Sequence, residues 1–146
     1  METDFIVLDE ATNFYKTNQN YPFQEEAYKI IGACMDVHSF LGPGFLEIVY
    51  KDALEYEFKT RGIPFEREKK FEIPYKDIIL RHPYFADFFV FDEIILEAKA
   101  QDGITDEFYK RTINYLAASK KQLGLIVNFG ELSLKFKRVV FTKNRN

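Results

Sequence analysis

The run Ile94-Ile95-Leu96-Glu97-Ala98-Lys99-Ala100 limits what this chain can become more than any other stretch. Read as an extended segment, it carries apolar residues at both parities, the pattern of a strand buried on both faces. Such a strand belongs inside a sheet covered on each side, and the chain holds elements to cover it. From about Gln24, the residues Ala27, Ile30, Ile31, Cys34, Val37, His38 and Leu41 recur at three- and four-residue steps, one apolar helical stripe. Gly42-Pro43-Gly44 stops that helix. A second helix over residues 45–61 turns Leu46, Val49, Tyr50, Ala53, Leu54 and Glu57 inward and ends at Gly62. The texture then becomes strand-like over residues 65–75, bracketed by Pro64 and Pro74, over the short 78–80, and over 84–90 and 94–100. Thr105 caps a third helix over residues 106–121, with acids in its first turn and Lys120-Lys121 in its last. Residues 123–129 and 132–141 are the closing strands. The order α-α-β-β-β-β-α-β-β predicts an α/β or α+β domain with one mixed sheet. Residues 24–146 are expected to form it as a single domain, after an irregular arm, residues 1–23, whose Phe5-Ile6-Val7-Leu8 clips on as a short strand.

Composition bounds the function. With 146 residues, 47% apolar and 29% charged, the chain is of single-domain size and globular make-up. No run of 18 apolar residues exists, which excludes a membrane-spanning helix. The acidic start Met1-Glu2-Thr3-Asp4-Phe5 is unlike a signal peptide. One cysteine builds neither a disulfide framework nor a thiolate zinc site, which fits a reducing cytoplasm. The net charge of −3 tilts against a nucleic-acid partner when taken as a sum. Its distribution is less forbidding. Residues 59–70 hold Lys59, Arg61, Arg67, Lys69 and Lys70 against two acids, and residues 135–146 hold Lys135, Lys137, Arg138, Lys143 and Arg145 against none. A polyanion is thereby directed to those two basic edges.

The chemistry concentrates around the buried strand. Glu97 and Lys99 are two apart and leave the same face, while Asp87 opens the preceding strand beside apolar neighbours. Unpaired charges there would cost several kcal/mol, so they need partners or a metal. If residues 91–93 form a three-residue connection, pairing runs Val90–Ile94, Phe89–Ile95, Phe88–Leu96 and Asp87–Glu97, and Asp87, Glu97 and Lys99 share one face. A two-residue loop would put the two carboxylates on opposite faces, so a three-residue connection or an equivalent bulge is predicted. The carboxylates and the Ala98 carbonyl suit Mg²⁺ or Mn²⁺, hard cations that prefer oxygen. Lys99 would orient or deprotonate a water and offset developing negative charge. The other reading is a structural ion pair of Lys99 with Glu97 or Asp87.

Asp87, nine residues, then Glu97-Ala98-Lys99 resembles the bipartite active site of the PD-(D/E)XK nuclease superfamily. Gly44-Phe45-Leu46-Glu47-Ile48-Val49-Tyr50 resembles the signature of its GxxExxY branch. Val37-His38, Leu41-Gly42-Pro43-Gly44, Ala53-Leu54, Gly62, Asn114-Tyr115-Leu116 and Gly124-Leu125-Ile126-Val127-Asn128-Phe129-Gly130 extend the likeness. The resemblance implies a restriction-endonuclease-like core, a central mixed sheet of α-β-β-β-α-β order flanked by helices. It also implies a metal-dependent nuclease with Asp87 and Glu97 as metal ligands, Glu47 as a third carboxylate and Lys99 as the catalytic lysine. Tyr50, Arg111 and Tyr115 would be substrate-binding residues. Glu57 lies nearer the centre of its helix's stripe and is a further inward carboxylate. Two positions depart from the family pattern: Phe85 stands where an arginine is frequent, and Arg111 where related nucleases place a glutamine. Arg111 suits a phosphate, or an ion pair with Asp106 or Glu107. The expected partner is nucleic acid, DNA before RNA, with a homodimer as the candidate assembly. The rivals are a non-catalytic binding module that keeps the fold, and hydrolysis of a smaller phosphate ester. His38 and Cys34, on an apolar stripe, read as core residues.

Overall fold

Strand β1, Thr3–Glu10, begins the structure, a computed structural model that describes residues 3–10 and 21–143. β1 is twice the length expected for the clip at Phe5–Leu8, and residues 11–20 of the proposed arm lie outside the described residues. Helix α1, Gln24–Leu41, buries the predicted stripe from Ala27 to His38 and ends where Gly42 takes a φ of 70° and donates its N–H to the His38 carbonyl.

Helix α2, Glu47–Thr60, departs from expectation on its inward face. Tyr50, Lys51, Leu54 and Phe58 are buried, whereas Leu46 is 77% exposed. Leu46 precedes the helix in an extended conformation, so the helical period does not govern it. Glu57 is no inward carboxylate either, since it pairs with Arg61 one turn on.

Strand β2, Phe65–Phe71, stops before Pro74, which has no N–H to give a ladder. The residues beyond it make a separate small hairpin of β3, Pro74–Tyr75, with β4, Ile78–Ile79. Strands β5, Tyr84–Val90, and β6, Ile94–Lys99, then pair antiparallel as Val90↔Ile94, Phe89↔Ile95 and Phe88↔Leu96. That is the register of a three-residue connection. Phe91 and Asp92 both take left-handed backbone (φ 56° and 59°), and Glu93 donates its N–H back to the Val90 carbonyl. Helix α3, Asp106–Ala118, starts at Thr105, whose hydroxyl accepts the Phe108 N–H. It ends before Lys120, whose φ of 59° leaves the helical region, so the basic pair expected in its last turn lies outside it. Strand β7, Leu123–Asn128, is buried throughout, and β8, Lys135–Lys143, follows it.

The α+β arrangement with one principal mixed sheet holds. The sheet runs β1-β8-β7-β6-β5-β2, and its β6–β7 pair is parallel across the α3 crossover. Leu54, Phe58, Phe88, Leu96 and Leu125 fill one face beneath α1 and α2, and Phe89, Ile95, Ile113, Leu116 and Ile126 fill the other beneath α3. The double covering read from β6 is therefore met, and each fully buried Leu, Ile or Phe contributes about 1.5–3 kcal/mol.

The turn leaving β7 is fixed against the loop leaving β6. Asn128 accepts the Gln101 and Gly130 N–H groups through Oδ1 and donates to the Gln101 carbonyl through Nδ2. A β-carbon on Gly130 would stand 2.3 Å from the Gln101 backbone N and O. The neighbour is backbone and cannot rotate away. Gly130→Ala is expected to destabilise the fold by about 1–3 kcal/mol, the usual penalty of overpacking. An unaltered melting temperature would refute this close approach.

Candidate active site

Beyond Phe88↔Leu96 the strands β5 and β6 part, each keeping its outer neighbour: Tyr84 still pairs with Phe71 on β2, and Lys99 with Asn128 on β7. Two carboxylates bridge the fork. The Asp87 N–H donates to Glu97 Oε1 at 3.2 Å, and the Ala98 N–H donates to Asp87 Oδ2 at 2.8 Å. The face alternation also breaks here, because Ala86 packs in the α3-side core and Phe88, two residues on, in the α1/α2-side core. On β2, Glu68 takes a φ of 54°. Asp87 and Glu97 are thus brought together as expected, although by side chains crossing a gap and not by a continued ladder.

The α2 helix closes the site with charges. Lys51 Nζ lies 2.7 Å from Asp87 Oδ1, 3.3 Å from Glu47 Oε2 and 3.7 Å from Glu68 Oε1. Lys99 Nζ lies 3.6 Å from Glu47 Oε1 and 4.8 Å from the centre of the Phe108 ring. Glu47 therefore faces two lysines. Among the described residues no three His, Cys, Asp or Glu side chains are gathered as a metal would need, and Glu47 is turned to the two lysines in this arrangement.

Glu97 is the strained charge of the group. Burial, then the neighbouring Asp87 charge, push its carboxyl up to about 8. Hydrogen bonds from the Tyr84 hydroxyl and the Asp87 N–H act the other way but do not prevail. Tyr84 is itself held well above the ordinary phenol range, first by burial and then by the Glu97 charge. Burial alone would lower Lys51, yet the hydrogen bond and charge of Asp87, with Glu47, raise it overall. Two adjacent carboxyls that share one close ammonium, Lys51, are a donor pair that fits Mg²⁺ or Mn²⁺, ions commonly bound through one or two carboxylates and several waters.

The other expected residues scatter. Tyr115 stacks on Tyr84 at 4.9 Å and 9°, which sets it beside Glu97 at the edge of the site. Arg111 is exposed and forms no ion pair among the described residues, with Asp106 and Glu107 included. Tyr50 is fully buried, stacked on Phe129 at 4.8 Å. Its hydroxyl donates to the Gly42 carbonyl and accepts the Phe45 N–H, so it anchors the loop ahead of α2. His38 is a satisfied core histidine whose Nε2 sits 2.8 Å from the Glu131 carbonyl.

The 59–70 basic edge shrinks in the structure, while Arg145 and the Lys143 side chain of the 135–146 edge lie outside the described residues. Lys59, Arg61, Arg67 and Lys69 are all ion-paired, with Glu55, Asp36, Glu57, Asp52 and Glu66. Of the second edge, Arg138 is wholly buried with Tyr21, while Lys135 and Lys137 are half-buried. Three site residues escaped the sequence reading: Lys51, Glu68 and Tyr84. Lys51 had a signal, for Lys51, Leu54 and Phe58 follow the same helical spacing as the buried stripe.

No helix among the described residues is long and apolar enough to cross a membrane. The model of the PD-(D/E)XK nuclease superfamily matches residues 24–139, a span that holds every residue placed in the site above. No curated protein and no solved structure matches the chain.

Proposed function

The chain belongs to the PD-(D/E)XK nuclease superfamily, and from that premise we propose that it is a metal-dependent nuclease cleaving phosphodiester bonds, with DNA ahead of RNA as substrate. The restriction-endonuclease-like core of the superfamily agrees with the helix, three-strand meander, helix and strand order described here. The observation that carries the reading is the meeting of Asp87 and Glu97 at the fork between β5 and β6, with Lys99 two residues beyond Glu97 on β6 and paired with Glu47. Asp87 and Glu97 would hold the cation. Bound there, Mg²⁺ or Mn²⁺ supplies a Lewis acid that acidifies water and offsets charge on phosphoryl oxygens.

The chain's own groups divide the remaining work. Glu47 positions the Lys99 ammonium, which is placed to direct a water and balance negative charge as the phosphorus–oxygen bond is attacked. Tyr84 holds the Glu97 carboxylate in orientation. An open cleft of about 660 Å³ is lined by Pro43 and Gly44 before α2, Asp102 after β6, the 130–133 turn and Lys135, and not by Asp87, Glu97 or Lys99. The finer placement in the GxxExxY branch rests on residues 44–50, of which Glu47 reaches the site and Tyr50 secures the loop.

A second reading, a binding module that retains the nuclease fold, is favoured by the ion pairs that consume the 59–70 basic edge. Incubation of single- and double-stranded DNA and RNA with Mg²⁺ or Mn²⁺, beside the Glu97→Ala and Lys99→Ala variants, separates the two. Cleavage by the wild type alone supports the nuclease, and equal background cleavage by all three proteins rejects it.

A further inference from the structure

A lysine is the least expected occupant of a site meant for a divalent ion, and Lys51 holds the closest contact in it. Its side chain is nearly buried, and its Nζ at 2.7 Å from Asp87 Oδ1 stands against one of the two oxygens of a proposed ligand. The other oxygen, Oδ2, already accepts the Ala98 N–H. An ammonium at that distance and a cation bonded at about 2.0–2.1 Å compete for the same lone pairs. Two further carboxylates stand within reach of the ammonium, Glu47 at 3.3 Å and Glu68 at 3.7 Å. Glu68 is more than half exposed and sits on a left-handed backbone, which sets its side chain beside the fork.

We propose that Lys51 is the resident counter-cation of this site: its ammonium holds Asp87 until a divalent ion arrives, and that ion loads by displacing it towards Glu47 and Glu68. The inference rests on the metal-dependent reading above and adds to it a gate on metal loading. A +1 charge keeps the buried carboxylates tolerable in the absence of metal, at the expense of metal affinity. Lys99 cannot serve in the same way, because its ion pair is with Glu47.

Mn²⁺ binding, followed by electron paramagnetic resonance of the free ion, tests the exchange without reference to cleavage. Lys51→Met, which keeps the aliphatic stem, is expected to bind Mn²⁺ at least tenfold more tightly than wild type. Lys99→Met, which removes an equal charge nearby, should change affinity less than threefold. Glu68→Gln removes a landing place for the displaced ammonium and should weaken binding severalfold in wild type but not in the Lys51→Met background. Equal tightening by both lysine variants, or a Glu68→Gln effect of the same size in both backgrounds, overturns the exchange. Wild type that binds Mn²⁺ no more weakly than a folded Lys51→Met also overturns it while leaving the nuclease reading intact. Failure of every protein to bind overturns both. Should Lys51→Met not fold, the Lys51 ammonium signal of ¹⁵N-lysine-labelled wild type decides the matter. It should lose its hydrogen-bonded shift on addition of Mg²⁺, and constancy refutes displacement.

Discussion

Glu97→Gln is expected to melt above wild type at pH 8 and to have lost metal-dependent cleavage. The folded protein holds the Glu97 proton up to about pH 8, against an ordinary value of 4.5. Between those values the folded state binds more protons than the unfolded one, so stability falls as pH rises through that window. The full expense of keeping this carboxylate charged is present only above the window. Glutamine carries no such charge and keeps an oxygen for the Tyr84 hydroxyl and the Asp87 N–H. The gain should be near zero at pH 4.5 and reach about 2 kcal/mol or more at pH 8, some 4–8 °C in Tm for a chain of this size. Saturating Mg²⁺ should narrow the gap by stabilising wild type alone. Melting curves at a series of pH values check this, and a difference that does not vary with pH would show that Glu97 is not the strained group.

Loss of the Lys99 ammonium should be the largest functional effect. Lys99→Ala is expected to lower single-turnover cleavage at least about 100-fold, the usual scale for removing one acid–base or charge-stabilising group. Mn²⁺ affinity should stay close to that of wild type, because Lys99 pairs with Glu47 and not with Asp87 or Glu97. Lys99→Arg keeps the charge but not the compact ammonium near Glu47, and partial recovery is expected. Cleavage by Lys99→Ala within threefold of wild type would remove Lys99 from the mechanism.

What could be read in the sequence was whatever depends on period. The β5–β6 register followed from a spacing argument, since only one loop length brings Asp87 and Glu97 together. The stripe of α1 and the Thr105 cap are likewise local, as is the stop at Gly42. The site's electrostatics are not local. Lys51 meets Asp87 from another element across 36 positions of sequence, and the helical spacing that turns position 51 inward does not tell which acid it meets. The 59–70 basic edge changed its meaning for the same reason. Arg61 is neutralised by Asp36 on α1, and Arg67 by Asp52 and Glu55 on α2, so a run of cations in the sequence becomes a set of closed pairs in space. Tyr50 shows the converse: the spacing of a signature was legible, but whether its aromatic ring faces substrate or core depends on Phe129, far along the chain.

The fork between β5 and β6 carries a lesson about loss of activity. Where the ladder opens, the backbone N–H groups of Asp87 and Ala98 have the two acids as their acceptors. A buried amide deprived of its acceptor is destabilising by about 1–3 kcal/mol. A descendant of this chain without catalysis would still be under selection for folding to keep an acceptor oxygen at both positions, as the acids do. Their survival in a sequence therefore records the architecture as much as the chemistry. A degenerate copy would betray itself first at Lys99, whose ammonium closes no backbone gap.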